Sequence, residues 1–353
     1  MRFTTALSLS TLVALVAAAK PSQKCSSLEV RREWRTFSKA ERKAWIDATN
    51  CLNKKPRTGK LQPPIDTDSY PDVGFHIAPV NESSTYYDDL VYAHMNLNPV
   101  IHKTGLFLPW HRVYLHEWTN IIRKECGYKG VVPYWAWEND SEDFLGSSIW
   151  DTDSESGLGG FSDDASDDYT LHTGALDLEL AYPVPHKLRR HYIPFPFAGV
   201  NANISATSTF TPAEVQKLFR QTNFTSFQEY MEKTVGMHAA IHLMHGGDMG
   251  TVCPAGTEGT ANCPRRAPTF SPNDPTFHLH HGNVDRLWWL WQEKSLFNKN
   301  AFHGGSVQNA STPNGQAPWL NKTSLVPSAG LWPTYNVGET LDTRIWPWCY
   351  VYE

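Results

Sequence analysis

Four segments of the chain carry apolar residues at helical spacing. In SSTYYDDLVYAHMNL (83–97), Tyr86, Leu90, Val91 and His94 share one helix face behind Ser and Thr residues suited to an N-cap. In PWHRVYLHEWTNIIRKECG (109–127), His111, Leu115, Trp118 and Ile122 align, and Gly127 stands where a left-handed cap would end the helix. The stretch FQEYMEKTVGMHAAIHLMHGG (227–247) reads as one helix that sets His238 and His242 a turn apart. In NDPTFHLHHGNVDRLWWLWQEK (273–294), Asp274 is the expected cap, Pro275 the first helical residue, and Phe277, His281, Val284, Asp285 and Trp288 share a face. Each of the four offers histidine to a common interior.

The polar segments between them read as surface loops, chiefly DTDSESGLGGFSDDASDDYT (151–170) and TVCPAGTEGTANCPRRAPTFSPN (251–273). The chain shows no repeat and no long linker, so 20–353 is expected to be a single domain. The start, MRFTTALSLSTLVALVAAAK, has one Arg, an apolar run and an Ala-rich end, the layout of a secretory signal peptide over 1–19 cleaved near Ala17 to Ala19. The run is too short to span a bilayer. An extracellular destination then sets the reading of the six cysteines as three disulfides. Cys253 and Cys263 close a short Gly/Pro-rich loop. Cys25 with Cys349 would staple the ends and leave Cys51 with Cys126, but spacing does not choose this pairing over the others. Sequons at Asn81, Asn139, Asn203, Asn223, Asn309 and Asn321 predict N-glycans. A net charge of −5 without a basic stripe excludes the electrostatic footprint of a nucleic-acid binder, so the expected ligand is small.

Singly, a histidine on an apolar helix face is more often a hydrogen-bonded core residue than a ligand, and nine of the fifteen are assigned no direct metal role. The pair at i, i+4 resists that reading. Two imidazoles on consecutive turns suit a metal and gain little as mutual neighbours, since charging either would repel the other. Ligand softness admits Zn, Cu, Ni or Fe.

HKTGLFLPWHR (102–112) followed by DPTFHLHHGNVDRLWWLW (274–291) resembles the two copper signatures of the tyrosinase and catechol oxidase (polyphenol oxidase) family, the type 3 copper proteins. The likeness runs from VRREWR (30–35) to near the C-terminus and is greatest to the short secreted fungal members. It implies a mainly α fold: a four-helix bundle holding a dinuclear copper site, with long loops and few short strands. It implies one copper on His94, His102 and His111 and a second on His238, His242 and His281. Of the adjacent pair, His281 stands four residues before Asp285, where the family motif places its ligand, so His280 would line or buttress the site. Asp285 and Arg112 would orient imidazoles or form an ordinary buried salt bridge. The resemblance further implies that two o-diphenols are oxidised to two o-quinones as O2 is reduced to two waters.

Departures from the pattern bear on substrate. Val100 stands where many fungal members have a Cys crosslinked to a ligand. Members that hydroxylate monophenols well often carry Asn after the first histidine of the second site, where with a Glu it holds a basic water; here the residue is Ala239, and the Glu would be Glu232 or Glu229. Thr119 replaces a usual Glu, with Glu117 and His116 nearby, and His278 replaces a commonly aromatic position and is expected at the substrate mouth. The loop over 246–272 should set substrate choice, within aromatic and Pro-rich walls that favour flat phenols. The closing YVY resembles the tyrosine motif ending the family's catalytic core, with an Arg of VRREWR as its partner. No shielding domain is expected after it, hence activity without proteolytic unmasking. A hemocyanin-type oxygen carrier and a zinc or iron hydrolase or oxygenase are the competing readings; catechol turnover separates the first, copper stoichiometry the second.

Overall fold

The computed structural model describes residues 24–353 apart from 66–76, 78, 82–83, 198–202, 264–268 and 310–311; the expected signal peptide lies outside the described residues. Helix α1 (Lys39–Asn53) opens on a capping box between Ser38 and Glu41, and α2 (Tyr86–Ile101) on one between Thr85 and Asp88. Helix α3 (Phe107–Cys126) ends at Gly127, whose φ of 72° is the left-handed cap that its sequence predicts. The segment read as one helix over 227–247 is two: α5 (Phe224–Glu232), preceded by α4 (Pro212–Phe219), and α6 (Met237–His245). Lys233 is extended at φ −57°, ψ 145°, and the β-branched pair Thr234–Val235 before Gly236 gives the helix little reason to continue. Helix α7 (Thr276–Gln292) starts one residue later than expected, yet Asp274 does cap it by accepting from Thr276 N at 2.9 Å. A short α8 (Leu296–Asn300) follows.

α3 packs on α7 and α2, and α6 on α7, so these four helices enclose the histidine-rich interior. Strands are short, as expected. β1 (Glu29–Glu33) lies between β2 (Pro133–Tyr134) and the C-terminal strand β9 (Tyr350–Tyr352), parallel to both, with Val30 opposite Val351. Between them run three two-stranded antiparallel ladders: β3 (Glu179–Leu180) with β4 (His186–Lys187), β5 (Gly305–Val307) with β6 (Gln316–Trp319), and β7 (Leu325–Val326) with β8 (Tyr335–Asn336). The small sheet is pressed onto α7: a Cβ on Gly282 would come within 2.9 Å of Pro133 O, so only glycine allows this approach.

All six cysteines are paired, Cys25–Cys349, Cys51–Cys126 and Cys253–Cys263, which closes the choice that spacing left open. The 151–170 segment is not wholly a surface loop. Ser156 and Leu158 are buried, and the Leu158 and Gly159 carbonyls accept from the buried Arg190 guanidinium, itself paired with Asp274 at 2.7 Å. A buried Arg thus fixes this loop to the entrance of α7. Among the described residues no helix is long and apolar enough to cross a membrane.

Candidate metal centre

His94 sits mid-way along α2 with its Nδ1 3.0 Å from Thr269 O. A carbonyl only accepts, so Nδ1 carries the proton and the Nε2 lone pair is free. His111, on the second turn of α3, is held the same way by Phe107 O at 2.8 Å. His102 is the extended residue that ends α2, and its ring lies 5.0 Å from those of both His94 and His111. The three offer ligand atoms within 4.8 Å of one another.

A second group comprises His238 and His242 from α6 with His280 and His281 from α7, its ligand atoms gathered within the same limit. The Nε2 atoms of His242 and His281 are 3.3 Å apart. His281 stacks on His111 at 4.1 Å, and the His102 and His238 rings are 6.2 Å apart, so the groups lie side by side. His280 is fully buried and stacks on His238 at 5.3 Å; neither of its ring nitrogens has a partner. It belongs to the second group by distance.

Burial, reinforced by neighbouring imidazoles, lowers the pKa of His102, His111, His238 and His281 well below the ordinary value; burial takes His94 to about 4 and His242 to about 3. Neutral rings keep lone pairs for a metal. The Nε2 atoms of His94, His111 and His238, Nδ1 of His102 and Nδ1 of His281 are buried without a hydrogen-bond partner. Orphaned buried nitrogens in two groups, each with ligand atoms gathered within 4.8 Å, are what a pair of metal ions would satisfy. The donors are imidazole only, since every cysteine is in a disulfide and neither group contains a carboxylate. That donor set suits copper.

A cavity of about 220 Å³ opens over the two groups, touching His94, His102, His238 and His242, with Ala239, Leu243 and Met249 to Thr251 along its wall. Glu232 and Ala239 both line it. The Glu232 carboxylate is buried, accepts from Lys103 N at 2.6 Å and Gln228 Nε2 at 3.2 Å, and burial raises its pKa to about 8. Glu229 is exposed and is not among the residues that line the cavity. His280 does not reach the cavity.

Several expectations are corrected. Among the described residues the lining is histidine, aliphatic, hydroxylic and small, with Asn98, Lys103 and Glu232 and without Phe, Tyr, Trp or Pro; Pro264 and Pro268 of the expected wall lie outside the described residues. His278 is away from the mouth, buried and stacked between Trp118 at 3.8 Å and Tyr114 at 5.9 Å. Among the described residues no imidazole is hydrogen-bonded to Asp285. Asp285 accepts from Arg112 Nε at 2.6 Å, Arg31 Nη1 at 3.2 Å and the Tyr350 and Tyr352 hydroxyls at 2.6 Å each. Arg112 and Asp285 thus form the ordinary buried salt bridge, and the partner of the YVY motif is Arg31, which also lies over the Tyr350 ring at 3.3 Å. Glu117 accepts from Tyr335 OH, and the Thr119 hydroxyl donates to Leu115 O, so both are engaged outside the cavity. Sequence reasoning missed Thr269 and Phe107, which fix the tautomers of His94 and His111 through backbone carbonyls that any residue supplies. It also missed Lys103, legible only as the residue after His102.

The model of the common central domain of tyrosinase matches residues 84–294. The chain is 30% identical to the tyrosinase-like protein phomQ1' of Diaporthe leptostromiformis, over 94% of this chain and 82% of that one. It is 28% identical to the N-acetyl-6-hydroxytryptophan oxidase ivoB of Emericella nidulans, over 98% and 99%. The fold is similar to that of a polyphenol oxidase from Thermothelomyces thermophila, with a TM-score of 0.68 at 22% identity over 92% of this chain and 89% of that one. Imidazole donors in two adjacent groups match the copper pair of this family, and the chain belongs to the tyrosinase family of dinuclear copper oxidoreductases.

Proposed function

We propose that the chain is a phenol oxidase that takes o-diphenols to o-quinones, and that also oxidises o-aminophenols or o-methoxyphenols, while O2 is reduced to water. The observation that carries this reading is the pair of adjacent imidazole groups, with their unpartnered nitrogens, at the floor of one open cavity. His94, His102 and His111 would hold one copper, and His238, His242 and His281 the other. When bound, the copper pair supplies the redox couple and the Lewis acidity that favours phenolate over phenol. Two diphenols release four electrons and four protons, which reduce one O2 to two waters.

The chain's own residues restrict the reaction. The imidazole walls admit a flat ring edge-on, and Ala239 leaves open wall beside Glu232. A methyl group neither donates nor accepts a hydrogen bond, so Glu232 lacks the second partner that would hold a basic water over a monophenol. His280 packs behind His238 and keeps that ring in place. Full monophenol hydroxylase activity is the alternative, favoured by Glu232 itself facing the cavity. Secretion is supported by the three disulfides and by the exposure of Asn139, Asn203, Asn223 and Asn321 in their sequons.

The test is metal analysis of the purified protein with a panel of monophenols, o-diphenols, o-aminophenols and o-methoxyphenols. Two copper ions per chain and faster oxidation of ortho-substituted phenols than of tyrosine are expected. One copper per chain, zinc in an active preparation, or tyrosine hydroxylated without lag as fast as catechol is oxidised would each overturn it.

A further inference from the structure

The cavity over the histidines has one charged group that phenol oxidation does not use. Lys103 follows His102 directly and lines the same cavity as Ala239 and Leu243. Its backbone φ is 54°, the left-handed region that glycine or asparagine enters at less cost than lysine. Strain of this kind persists where the surroundings require the residue, and here the backbone N–H it aims is bonded to Glu232 Oε1.

The side chain is half-buried, and its ammonium donates to the Glu232 backbone carbonyl at the end of α5. That bond alone would make Lys103 a helix cap, a structural role. Three further observations point to a ligand as well. An ammonium has three donors, and this carbonyl takes one. Among the described residues no carboxylate oxygen is within salt-bridge distance of Nζ; the one acidic side chain on the cavity wall, Glu232, is instead occupied by the Lys103 backbone and Gln228. Among the described residues that line the cavity, Lys103 is the one Lys or Arg, on a wall that apart from the histidines, Asn98 and Glu232 is aliphatic, hydroxylic or small.

We propose that Lys103 is a specificity-determining residue that selects phenols bearing an anionic side chain, a carboxylate above all, by pairing its free ammonium donors with that group while the ring edge points to the histidines. The proposal rests on the phenol-oxidase reading for the orientation of the ring, but not for the charge pairing. A substrate carboxylate beside Lys103 gains a charge-assisted hydrogen bond in a half-open site, whereas the corresponding amide gains an ordinary one.

The test compares 3-(3,4-dihydroxyphenyl)propionate with its neutral N-methylamide. On the copper-loaded chain, kcat/KM should favour the acid by about tenfold at low salt, the size of one charge-assisted hydrogen bond, and the preference should shrink as ionic strength rises. On the copper-free full chain, calorimetric dissociation constants for 3-phenylpropionate and 3-phenylpropionamide should show the same preference, without copper as an alternative carboxylate ligand. Lys103→Gln should abolish the preference in both assays, and Lys103→Arg should retain it. Equal affinity of the unmodified chain for acid and amide overturns the proposal, whether or not Lys103→Gln folds. So does a preference that survives Lys103→Gln. If the protein binds the acid selectively yet oxidises no catechol, the charge pairing stands and the phenol-oxidase reading fails.

Discussion

Replacing Asp285 with Asn should destabilise the protein more than almost any other single isosteric change. The carboxylate is 3% exposed and is the common acceptor of Arg112, fully buried, and Arg31, 1% exposed, as well as of two tyrosine hydroxyls. Asn keeps the shape and removes the charge, leaving the buried Arg112 without its carboxylate and Arg31 with only Glu29 at 3.7 Å, and turning an NH2 toward donors. Removing one partner of a buried ion pair costs about 3–5 kcal/mol, and two cations depend on this one, so the expected loss is about 5 kcal/mol. That is a large share of the roughly 5–15 kcal/mol by which a folded domain is stable. Urea unfolding with disulfides intact, followed by tryptophan fluorescence, measures it through the midpoint at unchanged slope. The pH dependence gives a second check. Burial alone would raise the Asp285 pKa, but Arg112 and Arg31 with the tyrosine hydroxyls hold it below the usual carboxylate value. A depressed folded pKa contributes stability above the unfolded value of about 3.9 that is lost as pH falls through the folded one, so the gap between wild type and Asp285→Asn should narrow below about pH 3.9. A loss under about 1 kcal/mol, the scale of an exposed pair, would refute the reasoning.

His242→Ala should remove one of the two copper ions and nearly all turnover, whereas His245→Ala should keep both. The His245 ring is boxed by Trp135, Phe144, Trp150 and Phe161 and bonded to Ile241 O, so its loss should appear as a lower Tm, and equal copper loss in the two variants would mean the wrong histidines were chosen. Ala239→Asn should raise the ratio of monophenol to diphenol turnover at unchanged copper content, by giving Glu232 a partner for a water. No change, together with a gain on widening the loop at 267–271, would assign the restriction to loop shape instead. Cys51 ties α1 to Cys126 at the end of α3 across 75 residues, so replacing both by Ala should cost about 4 kcal/mol in the same urea assay, and a cost near zero would contradict the loop-closure argument.

What the sequence by itself determined was periodic or local. The faces of α2, α3 and α7, the cap at Gly127, the i, i+4 pair on α6 and the histidine motifs are encoded within a few residues of one another, where helix geometry turns spacing directly into position. The Cys253–Cys263 loop was legible for the same reason, since ten residues leave little choice of partner. Only the tertiary structure decided the rest. Nothing local marks Thr269 as the residue whose carbonyl fixes the tautomer of His94, 175 positions away, because every residue has a carbonyl. Asp285 could have turned to an imidazole or to a guanidinium; the parallel pairing of β1 with β9 brought Arg31 and two tyrosines to it and settled the matter. His278 has the composition of a mouth residue but faces Trp118, because its helix position turns it into the core. The helix break after Glu232, where its carboxylate accepts from Lys103 N, was likewise not legible in the 227–247 pattern. Distances along a helix follow from the sequence; which distant groups meet depends on how whole helices and strands pack, and that is a property of the assembled core.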